Sequence, residues 1–321
     1  MDGKRIYLER IDAMACRDYR CLTGKHEFRF IDDVTQLRGS NGSGKTTILN
    51  LISLAFEPEF FTELRPFSVN ESNGPSIIEL DFQAGGKRHI LYRCFREIEN
   101  LSTYLTIIEN DSFRELYDQE ALDYLDQITL PHRLGYEDIS HRVLITKGYR
   151  QMYPEKIEGM MTLINTWNCN RNSYIKHLYW QNGQINFVDL HGSNQRFESS
   201  ASGPKTLICN MMKLAKIIHD KFEGEVTKVV LIDDMLRMLS HEHQEDMIGL
   251  IKILSDKHGI QFITTDNIPG VSKSFQLDRP AIPSIYRTKD HQLLSNRWSN
   301  KYIHKYWSQT THNQRKFKWK V

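Results

Sequence analysis

The pattern of hydrophobic and polar residues along this chain predicts strands first and helices later. Apolar and polar residues alternate in five N-terminal segments, which are "RIYLERIDAMACRDYRCL" (5–22), "HEFRFID" (26–32), "SIIELDFQ" (76–83), "KRHILYRCFRE" (87–97) and "STYLTIIEND" (102–111). An alternation of period two is typical of strands that bury one face. Gly85 and Gly86 separate the third and fourth segments, and such a pair supplies the positive φ values of a tight hairpin turn. We therefore predict an antiparallel sheet in the N-terminal part.

Helical spacing of apolar residues is clearest in "GPKTLICNMMKLAKIIHDKF" (203–222). Leu207, Met211, Leu214 and Ile218 fall on one face of the predicted helix, which is typical of a helix that packs on a core. Further helices are predicted at 115–127, at 154–168 and at 242–259.

Two continuous apolar runs predict buried parallel strands. They are "TKVVLIDDML" (227–236) and "IQFITTDN" (260–267), and a strand that is buried on both faces shows no alternation. "GQINFVDLHG" (183–192) predicts one more strand. Because strands alternate with helices in this part of the chain, we predict an α/β fold with a mostly parallel core sheet.

The segment "RGSNGSGKTT" (38–47) matches the pattern G-x-x-x-x-G-K-[ST] of phosphate-binding loops. An apolar segment precedes it and a helical run follows, as a strand–loop–helix motif requires. Glycines let successive backbone N–H groups point at phosphate oxygens, Lys45 would reach the β- and γ-phosphates, and the Thr46 hydroxyl would bind Mg²⁺. The predicted nucleotide-binding residues of this loop are Gly39, Ser40, Asn41, Gly42, Ser43, Gly44, Lys45, Thr46 and Thr47.

Two aspartates end the apolar run at 227–236. A buried parallel strand delivers such carboxylates to its C-terminal edge, where ligands bind in α/β proteins. We predict that Asp233 binds Mg²⁺ together with Thr46, and that Asp234 acts as a catalytic or water-positioning carboxylate beside Lys45.

The composition is that of an ordinary soluble protein, with 40% apolar and 26% charged residues among 321. We expect no membrane segment and a cytoplasmic location, because no apolar run approaches the length of a membrane span. The five cysteines are scattered without a C-x-x-C pair, which favours reduced thiols over a zinc site.

Charge is distributed unevenly although the net charge is only +2. Residues 286–321 contain nine Lys or Arg and one acidic residue, and six aromatic residues lie among the charges from Trp298 to Trp319. Clustered cations attract phosphate backbones, and aromatic rings stack on bases or pack on sugars. This segment therefore predicts contact with nucleic acid. The alternative is a solvated helix or strand whose aromatic side chains pack on the core.

The order and spacing of these motifs resemble the ABC-type ATPase heads of the SMC and RecF families of DNA repair and recombination proteins, with RecF the more similar in style. "CRDYR" (16–20) resembles the arginine-containing turn of those heads and would place Arg17 in the phosphate-sensing position, while Asn41 completes their G-x-N-G-S-G-K-T loop. "SSASGPKTLICNMMKLA" resembles their signature segment, and "VVLIDD" resembles the RecF form of the acidic strand. The resemblance extends over about residues 4–268 and is loose between 110 and 195.

The resemblance implies an ABC-type P-loop NTPase head with ATP and Mg²⁺ as cofactors. Two heads, copies of this chain or related ones, would dimerise on ATP, and Ser202 and Gly203 of each would contact the γ-phosphate held by the other. It also implies DNA engagement in repair, recombination or defence against foreign DNA. Any DNA cleavage would fall to a separate effector such as a nuclease.

Several positions depart from the pattern of that family. Ser240 falls where an aspartate is general, Asp266 falls where many relatives have a switch histidine, and Lys147 or Gln151 lies nearest to the magnesium-sensing glutamine. Pro204 is a further departure, in the signature segment. Losing groups that orient water leaves phosphate binding intact, so we expect a slow ATPase.

We predict four segments. These are an N-terminal half of the head (1–110), a small inserted and mainly helical lobe (111–195), a C-terminal half with the signature segment and acidic strand (196–285), and the basic aromatic tail (286–321). SMC-type relatives carry a coiled coil in the interval that corresponds to 151–187, and no heptad repeat occupies it here. The chain is therefore a compact head, either naturally short or with an arm removed. Within the lobe, 165–183 is expected to contact DNA or a partner, or to be an ordinary packed helical region.

Three other functions are compatible with parts of the sequence. The first alternative is a nucleotide-gated switch that recruits or regulates an effector protein with little hydrolysis, and the departures favour it. A transporter's ATPase subunit shares the cassette, but the basic tail and the wide spacing between loop and signature segment argue against it. A phosphotransferase for small metabolites would need neither the signature segment nor the tail.

Overall fold

The structure is a computed structural model that describes residues 5–19, 22–30, 33–57, 76–95, 102–110, 112–135, 154–169, 173–222, 227–268 and 273–277. The strands are β1 (Leu8–Tyr19), β2 (Leu22–Arg29), β3 (Val34–Gly39), β4 (Ser76–Ala84), β5 (Lys87–Phe95), β6 (Ser102–Glu109), β7 (Ser112–Tyr117), β8 (His132–Gly135), β9 (Ile175–Gln181), β10 (Gln184–Asp189), β11 (Asn194–Arg196), β12 (Val229–Asp233), β13 (Gln261–Thr264) and β14 (Lys273–Leu277). The helices are α1 (Lys45–Phe56), α2 (Asp118–Leu125), α3 (Pro154–Asn168), α4 (Ser202–Phe222) and α5 (His241–His258). The predictions for the basic tail, Lys147 and Gln151 lie outside the described residues.

The alternating N-terminal segments form an antiparallel sheet of six strands in the order β2-β1-β4-β5-β6-β7. The predicted hairpin is present, since Ala84 of β4 pairs with Lys87 of β5 across the two glycines. Gly85 and Gly86 have φ values of 57° and 73°, which glycine adopts without steric cost.

The apolar runs lie in a second sheet, whose order is β14-β3-β13-β12-β8 and whose neighbouring strands are all parallel. The side chains of β12 divide between two hydrophobic cores. Val229 and Leu231 pack in the core under the antiparallel sheet, whereas Val230 and Ile232 pack among the C-terminal helices. Burial on both faces explains the unbroken apolar run of this strand.

Helices α1 and α4 line the two cores. In the first core, Phe56 at the end of α1 meets Phe82 of β4 edge to face, with ring centroids 5.1 Å apart. In the second, the predicted apolar face of α4 is buried along its length, with Leu207, Leu214 and Ile218 fully enclosed. The helix predicted at 154–168 is α3, and that predicted at 242–259 is α5 within one residue.

The helix predicted at 115–127 begins too early. Residues 115–117 belong to β7, where Glu115 pairs with Thr106 of β6, and the helix begins only at Asp118. Asp118 has a positive φ of 44°, which turns the chain out of the strand. Pairing along the edge of the sheet thus overrides a helical spacing that is local to the sequence.

The described residues of the predicted lobe at 111–195 contain helices α2 and α3 and also strands, of which only β10 was predicted. Strands β9 and β10 form a hairpin there, and β8 joins the edge of the parallel sheet beside β12. The hairpin turns at Asn182 and Gly183, whose φ values are 53° and 73°. An Asn-Gly pair between alternating residues is a strong hairpin signal, so the sequence contained the information.

Arg93 is a fully buried arginine at the centre of the antiparallel sheet. None of its three side-chain nitrogens has a hydrogen-bond partner among the described residues, and its register neighbours are Ile78 and Thr103. Burial lowers the pKa of Arg93 to about 10, and the nearby Asp126 opposes this only in part, so the side chain stays charged at neutral pH. An unpaired buried charge destabilises the folded state.

We expect Arg93→Met to raise the free energy of unfolding by about 1–3 kcal/mol, because a flexible apolar side chain fills the space without burying a charge. Urea denaturation of both proteins at neutral pH measures the difference. Arg88 on the same strand donates to Asp81, with Nε and Oδ1 2.9 Å apart, so Arg88→Met serves as the control and should not stabilise. A less stable Arg93→Met protein would contradict the prediction.

Candidate functional site

The phosphate loop, residues 39–46, connects the C-terminal end of β3 to α1. Gly42 and Gly44 have φ values of 80° and 98°, in the left-handed region that favours glycine. A Cβ atom on Gly42 would meet nothing within 4 Å, so backbone conformation, and not crowding, requires glycine there. The predicted loop residues are therefore brought together as the motif demands.

Two structural features of the phosphate loop favour the binding of an anion. The first turn of α1 contains no acidic residue, and the free N–H groups of a helix N-terminus attract negative charge. The buried Oγ of Ser43 has no hydrogen-bond partner among the residues that the structure describes. Lys45 Nζ donates to the carbonyl oxygens of Gly39 at 2.8 Å and Ser40 at 3.1 Å, so the ammonium group lies over the loop. Ser40 and Asn41 are exposed at its tip, and Thr47 is buried in α1.

Thr46 and Asp233 meet although 187 positions separate them in the sequence, with Thr46 Oγ1 donating to Asp233 Oδ1 at 3.0 Å. A hydroxyl and a carboxylate oxygen are the ligand types that Mg²⁺ takes in nucleotide sites, where phosphates and water complete the shell. No cluster of three or more His, Cys, Asp or Glu suited to a metal occurs in the described part of the chain. The predicted pair Thr46 and Asp233 thus fits Mg²⁺ that is held jointly with phosphate.

Thr265, just after β13, is a site residue that belongs to no motif and was not predicted. Its Oγ1 donates to Asp233 Oδ1 at 2.9 Å and accepts from the backbone N–H of Asp234 at 2.9 Å. Because β13 lies between β3 and β12, this hydroxyl is placed beside both aspartates.

Asp234 adopts a left-handed backbone conformation with φ of 53°. Its half-exposed carboxylate pairs with Arg237, with Nη1 and Oδ2 3.1 Å apart. Aspartate and asparagine are the non-glycine residues that visit this conformation most readily. The water-positioning role of this carboxylate stays a prediction.

Asp266 is buried, and its side chain braces the segment that follows the acidic strand. Its two carboxylate oxygens accept the backbone N–H groups of Met235 at 2.9 Å and Leu236 at 3.1 Å. Its own carbonyl oxygen accepts from Gln36 Nε2 at 2.6 Å. Burial raises the pKa of Asp266 to about 7, although the two N–H donors oppose the shift. The residue at the predicted switch position therefore stabilises the backbone that follows the acidic strand.

The predicted signature turn, Ser202–Gly203, forms the start of α4, where Ser202 is exposed and Gly203 is half-buried. Pro204 lacks an N–H group and suits the first turn of a helix, where that group has no intrahelical partner. Ser240 caps α5, since its Oγ accepts from the backbone N–H of His243. An aspartate is not needed there, because serine is an equally good N-cap.

Arg17 lies near the end of β1, opposite Lys25 of β2 and Ile77 of β4. It is exposed on the antiparallel sheet, and the phosphate loop leaves the parallel one. Its phosphate-sensing role stays a prediction.

No protein-family model and no curated protein sequence matches the chain. Solved structures do match. An SMC head domain from Thermotoga maritima superposes with a TM-score of 0.55 at 19% identity, over 79% of this chain and 88% of that one. An SmcHead bound to the C-winged helix domain of ScpA gives 0.57 at 18%, over 79% and 88%. A third, an Smc head domain with an extended coiled coil bound to the C-terminal domain of ScpA derived from Pyrococcus furiosus, gives 0.53 at 14%, over 81% and 89%.

These similarities establish the fold as that of SMC head domains, which is an α/β fold, and confirm at this level the resemblance that the motifs indicated. None of the helices described is both long and apolar enough to cross a membrane.

The contribution of Asp266 to folding stability depends on pH. Its pKa lies above the ordinary 3.8, so the folded chain keeps a proton that the unfolded chain has lost between pH 3.8 and about 7. Unfolding then releases a proton, and the contribution of Asp266 to stability falls as pH rises through this window. We expect the stability of the wild type relative to Asp266→Asn to decrease from pH 4 to pH 7, measured by denaturant unfolding at each pH.

The exposed Asp256 of α5 provides the control, because Asp256→Asn should leave the pH profile of the wild type unchanged. A difference between wild type and Asp266→Asn that stays constant over the window would contradict the assignment.

Proposed function

We propose that this chain, which has the fold of SMC head domains, is an ATPase head that binds ATP and Mg²⁺ and engages DNA. The observation that carries the proposal is the hydrogen bond between Thr46 of the phosphate loop and Asp233 of the acidic strand, 3.0 Å long. Ligands bind at this edge of the sheet in α/β proteins. A turn without a binding role would not need a contact with a carboxylate 187 positions away.

The residues would divide the work as follows. The N–H groups of the loop and Lys45 hold the β- and γ-phosphates, while Thr46 and Asp233 supply two oxygen ligands for the metal. Bound Mg²⁺ neutralises phosphate charge. Asp234 orients the attacking water and accepts its proton, and Thr265 holds both aspartates in register. Asp266 holds the backbone N–H groups of Met235 and Leu236, which follow Asp234. This contact positions the Asp234 carboxylate before the nucleotide binds.

Dimerisation on ATP completes the proposal. The Ser202–Gly203 turn presents a helix N-terminus at the surface, and such an end suits the γ-phosphate held by a second head. The second head is a copy of this chain or a related one, and the heads bind double-stranded DNA in repair, recombination or defence. Two of the similar solved structures are complexes with domains of ScpA, which supports a separate protein partner here, such as a nuclease effector. The four-segment division at 110, 195 and 285 is part of the same proposal.

The first test is ATP turnover by the purified chain with and without double-stranded DNA, with the size of the ATP-bound form measured in parallel. Lys45→Ala should reduce turnover by at least about 100-fold, because it removes a charge that stabilises the transition state. Lys252, exposed on α5, gives the control Lys252→Ala, which should behave as the wild type. Turnover that survives in Lys45→Ala would count against the phosphate site.

The second candidate is a nucleotide-gated switch that recruits an effector with little hydrolysis. The inward-facing Asp266 favours it, because the switch position then contributes no group toward the phosphate. Asp234→Asn separates the two functions, since asparagine also tolerates the left-handed backbone. In an ATPase, this change should lower turnover by about 100-fold and leave ATP affinity within about twofold. In a switch, the wild type would bind ATP with negligible turnover, and Asp234→Asn would change neither quantity.

A further inference from the structure

The signature turn packs against a histidine of another helix. If Gly203 carried a Cβ atom, that atom would lie 3.2 Å from Nδ1 and 3.3 Å from Cε1 of His243. Among the described residues, no other heavy atom outside its chain neighbours and its own helix backbone lies within 4 Å. Contacts this short are tighter than ordinary van der Waals packing, so any larger residue would have to displace the ring or the turn. Gly203 thus allows the helix end to seat directly on His243.

The imidazole ring of His243 is held firmly in this position. It is buried, and the ring of Tyr174 meets it edge to face with centroids 4.5 Å apart. Its backbone N–H is capped by Ser240. One helical turn further on, Asp246 accepts hydrogen bonds from the Ser173 hydroxyl at 2.9 Å and the Tyr174 N–H at 2.8 Å. The two residues just before β9 therefore hold the ring of His243 in place through these contacts.

Helix α5, which contains His243, is connected to the acidic strand β12 by a short segment. His243 follows Asp234 by nine positions, and the intervening segment is fixed at both ends. Asp266 holds its beginning through two backbone N–H groups, and Gln244 Nε2 donates to the carbonyl oxygens of Leu236 at 3.1 Å and Leu239 at 3.0 Å. A shift of the signature turn would therefore reach Asp234 through short, well-packed contacts.

Burial lowers the pKa of His243, and the neighbouring Asp246 and Glu242 only partly oppose this. The ring is therefore uncharged at neutral pH. Its Nδ1 has no hydrogen-bond partner among the described residues. The uncharged ring of His243 therefore contacts the signature turn through van der Waals packing, and this packing fixes the position of Gly203.

We propose that His243 is a positioning residue for ATP turnover: its ring seats Gly203 and links the signature turn to the catalytic carboxylate Asp234. The role rests on the proposed function, because it matters only if the turn contacts nucleotide held by a second head. His243 itself touches neither the nucleotide nor Asp234 and acts through the position of the turn.

The test is a double-mutant cycle of Gly203→Ala and His243→Ala, with kcat and KM for ATP measured for each. We expect Gly203→Ala to lower kcat about tenfold or more, since a displacement of even 1 Å at a catalytic interface is costly. KM should stay within about twofold, because ATP is bound mainly by the loop of the same chain. Removing the ring relieves the clash, so the double variant should exceed Gly203→Ala at least about threefold in kcat.

Two controls separate positioning from general loss of stability. Gly159 of α3 also faces a histidine, with its Cβ position 3.0 Å from Cδ2 of His219 on α4, so Gly159→Ala creates a comparable clash away from the turn. It should lower the melting temperature and leave kcat unchanged. His241→Ala, at an exposed position of the same helix as His243, should alter neither.

Each outcome decides the matter. Rescue of Gly203→Ala by His243→Ala, with unchanged KM, supports the positioning role. A double variant no more active than Gly203→Ala, or single variants as active as the wild type, overturns it while leaving the ATPase in place. A wild type without ATP turnover is a different result, since it removes the proposed function and the positioning role with it.

Discussion

Strand β12 has to be buried on both faces, and the packing of the two halves of the molecule follows from this requirement. Val229 and Leu231 must be covered by the core under the antiparallel sheet, and Val230 and Ile232 by the core of the C-terminal helices. Neither core alone can bury this strand, so the two halves must close on each other. Closure places the end of β12 at the sheet edge where β3 and β13 also end, and Asp233 there contacts Thr46 of the phosphate loop.

Two residues of the site at that edge adopt arrangements that are unfavourable on their own. Asp234 has a left-handed backbone conformation, and Asp266 is a buried carboxylate. Each costs stability, and each is held by neighbours, Asp266 by two N–H groups and Asp234 by Thr265. The left-handed positions of the loop are glycines, which adopt this conformation without steric cost.

Much of the site could be predicted because its chemistry is local. The phosphate loop, the two aspartates and the start of α4 each follow from a few adjacent residues, and the structure gives each the expected local conformation. Strands β8 and β9 in the inserted interval were not predicted, because they owe their form to partners elsewhere in the chain or across a turn. Thr265 and the seat that His243 provides for Gly203 were not predictable, since neither residue belongs to a motif.

Local sequence patterns were enough to locate the phosphate-loop motif, the end of the acidic strand and the α/β class of the fold, because glycine conformations, apolar runs and helix faces are properties of neighbouring residues. Tertiary packing was needed to show that Thr46 meets Asp233 across 187 positions, that Asp266 faces inward and that Gly203 lies on His243. Such contacts depend on which elements pack side by side, and packing is set by the burial of the whole chain. No local pattern of residues encodes it.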